Sequence, residues 1–235
     1  MSVLFDDTAV PEIIHESREL IAVNKPCGLQ TEPDRFGHPD LCNWLSDHIS
    51  KINPIRDRLF PVHRIDRPTS GLVLFARRRN ILTQLQQEWD SEHVFKTYLA
   101  VVCGLPSKPK ETLTHYHIKD PKSFRAWIFA GKAPRNAKPC IMEYETLGSS
   151  GGYSLLKVGL KTGRYHQIRA QLAFVGMPVR NDYLYGAEQE GAAPVIGLHA
   201  WKLELDSARW PSVFVASPLI NSILQSFIPE IGLTL

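Results

Sequence analysis

Long hydrophobic runs are missing from this 235-residue chain. No apolar stretch approaches the roughly 20 residues that a membrane-spanning helix needs. The N-terminus, MSVLFDDTAV, carries acidic residues where a secretory signal would carry basic ones. Cysteine is scarce. Cys27, Cys42, Cys103 and Cys140 lie far apart and form no CxxC pair, which argues against a zinc site or a disulfide framework and for free thiols in a reducing, cytoplasmic compartment. Internal repeats and low-complexity tracts are absent. So is the G-x-S-x-G elbow of the serine hydrolases, although Ser70 does precede Gly71.

What the chain does have is enough apolar content to fold. Hydrophobic residues make up 43% and charged residues 22%, the balance of a globular protein rather than a disordered one. The net charge of +3 hides an uneven distribution. Residues 63–180 hold 19 Lys and Arg against 8 Asp and Glu, whereas 1–62 and 181–235 are both net acidic. A basic middle between acidic ends is the composition of a polyanion-binding face, although an unevenly charged solvated surface would read the same way.

Periodicity sketches the elements. ELIAVNKPCG (19–28) predicts a short apolar strand running into a Pro/Gly turn. DLCNWLSDHI (40–49) has helical spacing, with Asp40 as its N-cap. GLVLFARR (71–78) reads as a buried strand, NILTQLQQEWDSE (80–92) as a helix laid against a sheet, and VFKTYLAVVCG (94–104) as another strand. Residues 105–140, rich in Pro, Lys and Arg with scattered aromatics, read as loops and short edge strands. CIMEYETL and YSLLKVGLKT then resume the strand pattern. GRYHQIRAQLAFVG (163–176) predicts a helix beginning near Arg164 with Ile168, Leu172 and Val175 facing in, and SPLINSILQSFI (217–228) a final helix. The expected class is α+β: a single domain over 1–235, with a mixed, largely antiparallel sheet, flanking helices and a basic cleft.

Three segments carry the chemistry. HRIDRPTSG (63–71) places Asp66 between Arg64 and Arg67 just ahead of a buried strand. Flanking guanidiniums keep a carboxylate ionised, and an ionised carboxylate in a closed pocket can attack carbon. A surface ion cluster explains the same residues. A metal pair of His63 and Asp66 lacks a third ligand at useful spacing. In KTGRYHQIR (161–169), His166 and Arg169 are expected on one helix face, and an arginine flanking the buried side needs a carboxylate partner, for which Asp66 is one candidate. Tyr98, in the alternating strand FKTYLAVV, carries no functional signal alone.

Together and in this order, HRIDRPTSG, FKTYLAVVCG and KTGRYHQIRAQL resemble the RluA family of pseudouridine synthases. IAVNKPCG, MPVRNDYLYG, GLHAWKLEL and FVASPL look like its flanking segments, so the resemblance runs from about residue 13 to 219. It implies that Asp66 is the catalytic aspartate, that Tyr98 stacks on the target base and takes part in proton transfer, and that Arg169 pairs with the aspartate. It also implies that Arg64 enters the RNA helix where the base has left. His63, Arg67, Arg164 and His166 are expected at the RNA interface. The implied reaction isomerises uridine in RNA, either tRNA or large-subunit rRNA, with a slight lean to the tRNA pseudouridine synthase C type. No cofactor or metal is implied, and a monomer is expected. The chain begins almost at the opening strand, so no N-terminal S4 domain is expected. Departures stand at Asn181, where the family usually has glycine; at Trp210, where it usually has histidine; and at Ser217. Two rival readings are an RNA-binding or RNA-folding module of the same fold without turnover, and an unrelated hydrolase using His63 and Asp66.

Overall fold

An unbroken apolar run, LIAV, opens the strand β2 (Leu20–Lys25), and all six of its residues are buried. The computed structural model describes residues 10–52, 59–89, 91–190, 195–206 and 209–233. The chain divides into two compact units. One comprises Met1–Val94, Ala193–Val195 and His199–Asn221, and the other Phe95–Ala192, Ile196–Leu198 and Ser222–Leu235.

In the first unit β2 pairs antiparallel with β1 (Glu12–Glu16) on one side and with β4 (Ser70–Ala76) on the other. The two-residue strand β3 (Phe60–Pro61) also pairs with β4. β4 runs parallel to β10 (Leu198–Asp206), with His199 opposite Ser70 and Ala200 opposite Gly71, and β11 (Pro211–Val215) adds to β10 antiparallel. The parallel contact explains the glycine of the Thr-Ser-Gly turn. Gly71 has φ +111°, and a Cβ there would lie 2.3 Å from the Ala200 carbonyl oxygen, closer than any side chain tolerates. Helix α1 (Leu41–Ile52) buries Leu41, Leu45 and Ile49, four residues apart, and the Asp40 carboxylate accepts the Asn43 N–H at 2.9 Å as the expected cap. Helix α2 (Arg79–Glu88) buries Ile81 and Leu85.

The second unit is an antiparallel sheet in the order β5 (Val94–Cys103), β9 (Tyr153–Leu160), β8 (Lys138–Ser150), β6 (Lys110–Asp120), β7 (Arg125–Phe129). Helix α3 (Gln167–Phe174) closes one face, its Ile168 and Leu172 packing in one cluster with Ala100, Met142, Leu156 and Val158. Helix α4 (Ser222–Glu230) buries Phe227, whose ring meets Tyr153 edge-on at 6.5 Å.

Mixed pairing with helices laid on the strands is the α+β class expected. Three local expectations change. Residues 105–140 are only partly loops and short edge strands: β7 is a five-residue edge strand, but β6 spans eleven residues and pairs on both sides, with β7 and β8. Prolines and lysines dominate the composition of that stretch, yet Pro106, Pro109, Pro121 and Pro134 lie outside the strands, and Pro139 is the second residue of β8. The alternation Leu113, His115, His117 inside β6 keeps one face turned inward. Helix α3 begins at Gln167, not near Arg164, and Val175 is its exposed C-cap rather than a core residue. The tail bends before its helix: Pro218–Ile220 form a 3-10 turn capped by the Ser217 hydroxyl, which accepts the Leu219 N–H. All four cysteines are free thiols, and burial raises Cys42 to about 12 and Cys140 to about 11.

Candidate active site

The Asp66 loop is held by its neighbours on both sides. The Thr31 hydroxyl donates to the Ile65 carbonyl at 3.1 Å and accepts the Ile65 N–H at 3.3 Å. Gly28 and Arg67 exchange two bonds, Gly28 N–H to the Arg67 carbonyl at 2.8 Å and Arg67 Nε–H to the Gly28 carbonyl at 2.9 Å. The Asp66 carbonyl accepts the Thr69 N–H at 3.0 Å, closing a turn into β4. These contacts fix the backbone of residues 65, 66 and 67, and the side chain of Asp66 springs half-buried from that fixed backbone.

Beneath this loop lies a lysine that the sequence did not mark. Lys25 is fully buried and its ammonium donates to the carbonyls of Pro26 (2.9 Å), Leu29 (2.7 Å) and Arg67 (3.4 Å). Burial lowers it to about 7, with Cys27 and Asp66 pulling upward and the Arg67 cation pulling down. The consequence for stability has a definite sign. Below about 7 both the folded and unfolded lysines are charged, and the full cost of burying the charge is present. Between about 7 and 10.5 only the unfolded chain holds the proton, so stability rises with pH across that window and levels off above it. We expect urea unfolding of the native protein to gain on the order of 3–5 kcal/mol relative to Lys25→Met between pH 6.5 and 10. Parallel pH profiles for the two proteins would refute the assignment.

The other polar residues of HRIDRPTSG take separate parts. Arg64 is exposed and donates to the Glu32 carboxylate at 2.9 Å. His63 accepts the Leu74 N–H at 3.1 Å through Nε2 and stacks on Trp89 with ring centroids 4.8 Å apart. Ser70 and His199 do lie within hydrogen-bond reach, at 2.9 Å, but both are fully buried. His199 Nε2 meets the Ala216 carbonyl at 3.1 Å, so Nδ1 is left to accept from Ser70, whose oxygen in turn accepts from Asn221 at 3.0 Å. Burial holds His199 at about 4, hence neutral, and the pair ties β4 to β10 rather than activating a nucleophile.

In the second unit Tyr98 sits half-buried on β5, opposite Val158, against the core cluster. Arg169 is buried and bidentate: Nε donates to one oxygen of Asp182 at 2.6 Å and Nη2 to the other at 2.8 Å, with Asp182 itself 1% exposed. The carboxylate that a buried arginine requires is thus supplied within its own unit. The Arg169 guanidinium also lies 5.1 Å from the ring centre of Tyr185. His166 is not on a helix face with Arg169. It is the left-handed N-cap residue of α3, φ +52°, with its Nδ1 3.0 Å from the Tyr185 hydroxyl and its ring stacked on Tyr165 at 3.8 Å. Gln167 sets this entry, accepting from the Thr162 hydroxyl and the Arg164 N–H and donating to the Ile141 carbonyl. Arg164 reaches the Pro139 carbonyl at 3.3 Å. The structure therefore gathers His63, Arg64, Asp66 and Arg67 with Lys25 in one unit, and Tyr98, Arg164, His166 and Arg169 with Asp182 and Tyr185 in the other. Among the described residues no group of three or more His, Cys, Asp or Glu is placed to hold a metal ion, and no helix is long and apolar enough to cross a membrane.

The model of the RNA pseudouridylate synthase family matches residues 19–174 of this chain, which include every residue of the two sets except Asp182 and Tyr185. The chain belongs to that family. It is 32% identical over 204 residues to ribosomal large subunit pseudouridine synthase D of Borreliella burgdorferi, covering 84% of this chain and 61% of that protein. It spans similarly partial shares, 57–65%, of several other curated relatives. To tRNA pseudouridine synthase C of Haemophilus ducreyi it is 30% identical over 246 residues, covering 94% of this chain and 96% of that protein. Human RNA pseudouridylate synthase domain containing 4 shares the fold, with a TM-score of 0.75 at 19% identity over 95% of this chain and 94% of that one.

Family membership gives the departures a physical reading. Asn181 replaces a customary glycine at φ +64°, a backbone region that asparagine tolerates better than most residues. Its side-chain oxygen accepts the Glu190 N–H at 2.6 Å, a bond no glycine makes. Trp210 is buried and donates its indole N–H to Glu19 at 3.0 Å, so it fills and anchors its site. Ser217 supplies the cap already described, and its carbonyl accepts from Asn24 at 3.1 Å.

Proposed function

We propose that this protein is an RNA pseudouridine synthase that isomerises uridine to pseudouridine within structured RNA, with Asp66 as its nucleophile. The family match across the Asp66 loop carries this reading, and the backbone clamp on residues 65–67 supports it. The bond from the ribose to the uracil nitrogen breaks and a bond from the ribose to a ring carbon forms. That carbon gives up a proton and the freed nitrogen takes one, so atoms and charge balance without an oxidant, a reductant or a group donor. A uridine stacked in RNA must first be flipped out, at a cost of a few kcal/mol. Arg64, exposed and cationic, enters the gap and contacts phosphates. Tyr98 offers a flat face to the flipped ring and takes part in the proton transfer. Arg169 completes the catalytic set, while His63, Arg67, Arg164 and His166 serve the RNA interface. The whole chain acts as one catalytic domain, a cytoplasmic monomer.

Transfer RNA is the first substrate to try. The tRNA synthase C relative matches this chain along nearly its whole length, whereas the ribosomal synthase D relative extends well beyond the match. Purified protein should be incubated separately with total tRNA and with ribosomal RNA from cells lacking it, and new pseudouridines mapped by nucleotide. New sites in the tRNA pool are the expected result, and sites in ribosomal RNA alone would move the substrate. RNA binding with no new site in either pool would replace the enzyme by a non-catalytic RNA-binding module.

A further inference from the structure

The turn between β6 and β7 combines three features that a simple connection does not need. Phe124 projects there with 67% of its surface exposed. It adopts φ +53°, a left-handed backbone that a bulky side chain rarely takes. The turn around it is nevertheless rigidly built: the Asp120 carboxylate accepts the Lys122 N–H at 2.9 Å and the Ser123 hydroxyl at 2.7 Å. An exposed aromatic ring on a strained but well-bonded turn is a costly arrangement.

The surroundings say what kind of ligand would. Residues 108–138 hold eight Lys and Arg against two acidic residues. Those two acids are engaged locally, Asp120 within the turn and Glu111 with Lys108. Lys122 is exposed on the turn itself, and Lys132 and Arg135 in the loop after β7 and Lys138 at the start of β8 are exposed at the other end of β7. Cations for phosphates interleaved with a flat apolar face for a base is the composition of a single-stranded RNA grip. The turn is also wired to the Arg169–Asp182 pair. The Phe124 carbonyl accepts the Tyr165 hydroxyl at 3.3 Å, Tyr165 stacks on His166, and His166 meets the Tyr185 hydroxyl. Arg125 donates to the Leu184 carbonyl, and the Ala126 N–H to the Tyr185 hydroxyl at 2.8 Å.

We propose that the β6–β7 turn is an RNA-gripping element in which Phe124 stacks on an unpaired base outside the reacting nucleotide, with Lys122 on the adjoining phosphate and Lys132 and Arg135, at the other end of β7, on phosphates further along the strand. The inference rests on the synthase reading and adds a specificity site to it.

Two variants test it. Phe124→Asn removes the ring and keeps a residue that accepts the left-handed backbone, and Phe124→Trp keeps a flat face. Binding is measured by anisotropy, and turnover by pseudouridine formation, on whichever RNA pool the native protein modifies, or on total tRNA if it modifies neither. Phe124→Asn should raise both Kd and KM about tenfold with kcat within about twofold, and Phe124→Trp should restore both. The added indole should lose emission on RNA binding relative to the native protein, a change that a purely structural role would not produce. Native-like Kd and KM for Phe124→Asn, or an indole emission indifferent to saturating RNA, would overturn the proposal, including in favour of a protein partner at this turn. Native pseudouridine formation with an unaffected Phe124→Asn sinks the grip alone. No pseudouridine but a tenfold weaker Kd sinks the synthase reading and leaves the grip standing.

Discussion

Asp66→Ala should yield a folded protein whose pseudouridine formation falls by on the order of 10⁴-fold or more, because the proposed reading makes its carboxylate the nucleophile. The fold should survive the change. The loop's fixed geometry comes from backbone partners, the Thr31 hydroxyl on Ile65, Gly28 on Arg67, and the Asp66 carbonyl on Thr69, and none of these uses the carboxylate. A half-buried side chain removed from such a site costs about 1 kcal/mol of stability or less. The carboxylate also pulls the Lys25 titration upward, so its removal should shift that titration further down. Denaturation curves and product mapping on the same preparation separate the two effects. Turnover near the native rate would show that the nucleophile is misassigned.

The opposite signature is expected of Asp182→Ala. Arg169 is 4% exposed and Asp182 1%, and the two are joined by a bidentate pair. Deleting one partner of a buried pair leaves the other charge desolvated with part of its compensation gone, at a cost of about 3–5 kcal/mol. For a chain of this length that corresponds to a fall in Tm of ~10 °C. Asp182→Asn keeps the shape and loses the charge, so it should fall between alanine and the native protein. The 183–185 turn is bonded to the Asp182 carbonyl, which the substitution keeps, so RNA turnover should decline through the loss of the carboxylate that orients Arg169. A Tm within a degree or two of native would mean that the pair contributes little and that Arg169 is held by other contacts.

Some of the site was legible because it is local. A carboxylate between two arginines in HRIDRPTSG, a tyrosine on an alternating strand and an arginine next to buried helix positions can each be read from a few adjacent residues. The partners of those residues could not, because they come from far along the chain or carry no pattern. Lys25 looked like part of an ordinary Pro/Gly turn. Only the folded chain brings the carbonyls of Pro26, Leu29 and Arg67 around its ammonium. Asp182 lies thirteen residues beyond Arg169, with no periodicity relating them. His166 seemed to share a helix face with Arg169, because helical spacing says nothing about a left-handed residue at the helix entry.

Composition misled at 105–140 for a related reason. Prolines and charges at strand ends outweighed a polar, aromatic alternation in β6 whose inward side becomes evident only when α3 covers it: His117 meets the Tyr165 carbonyl at 2.8 Å, and Gln171 meets His115 at 3.0 Å. By itself the sequence determined the class of fold, most of the longer strands and helices outside that stretch, and the motif that marks the family, since all of these rest on short-range periodicity and on residue types at fixed spacing, whereas the short strands β1, β3 and β11 escaped it. Tertiary structure alone decided which groups are buried and what compensates them: the glycine forced by Ala200 at β4, the carbonyl cage of Lys25, the Asp182 clamp on Arg169 and the exposed ring of Phe124. Burial and pairing are properties of atoms brought together across the chain, and no local pattern encodes them.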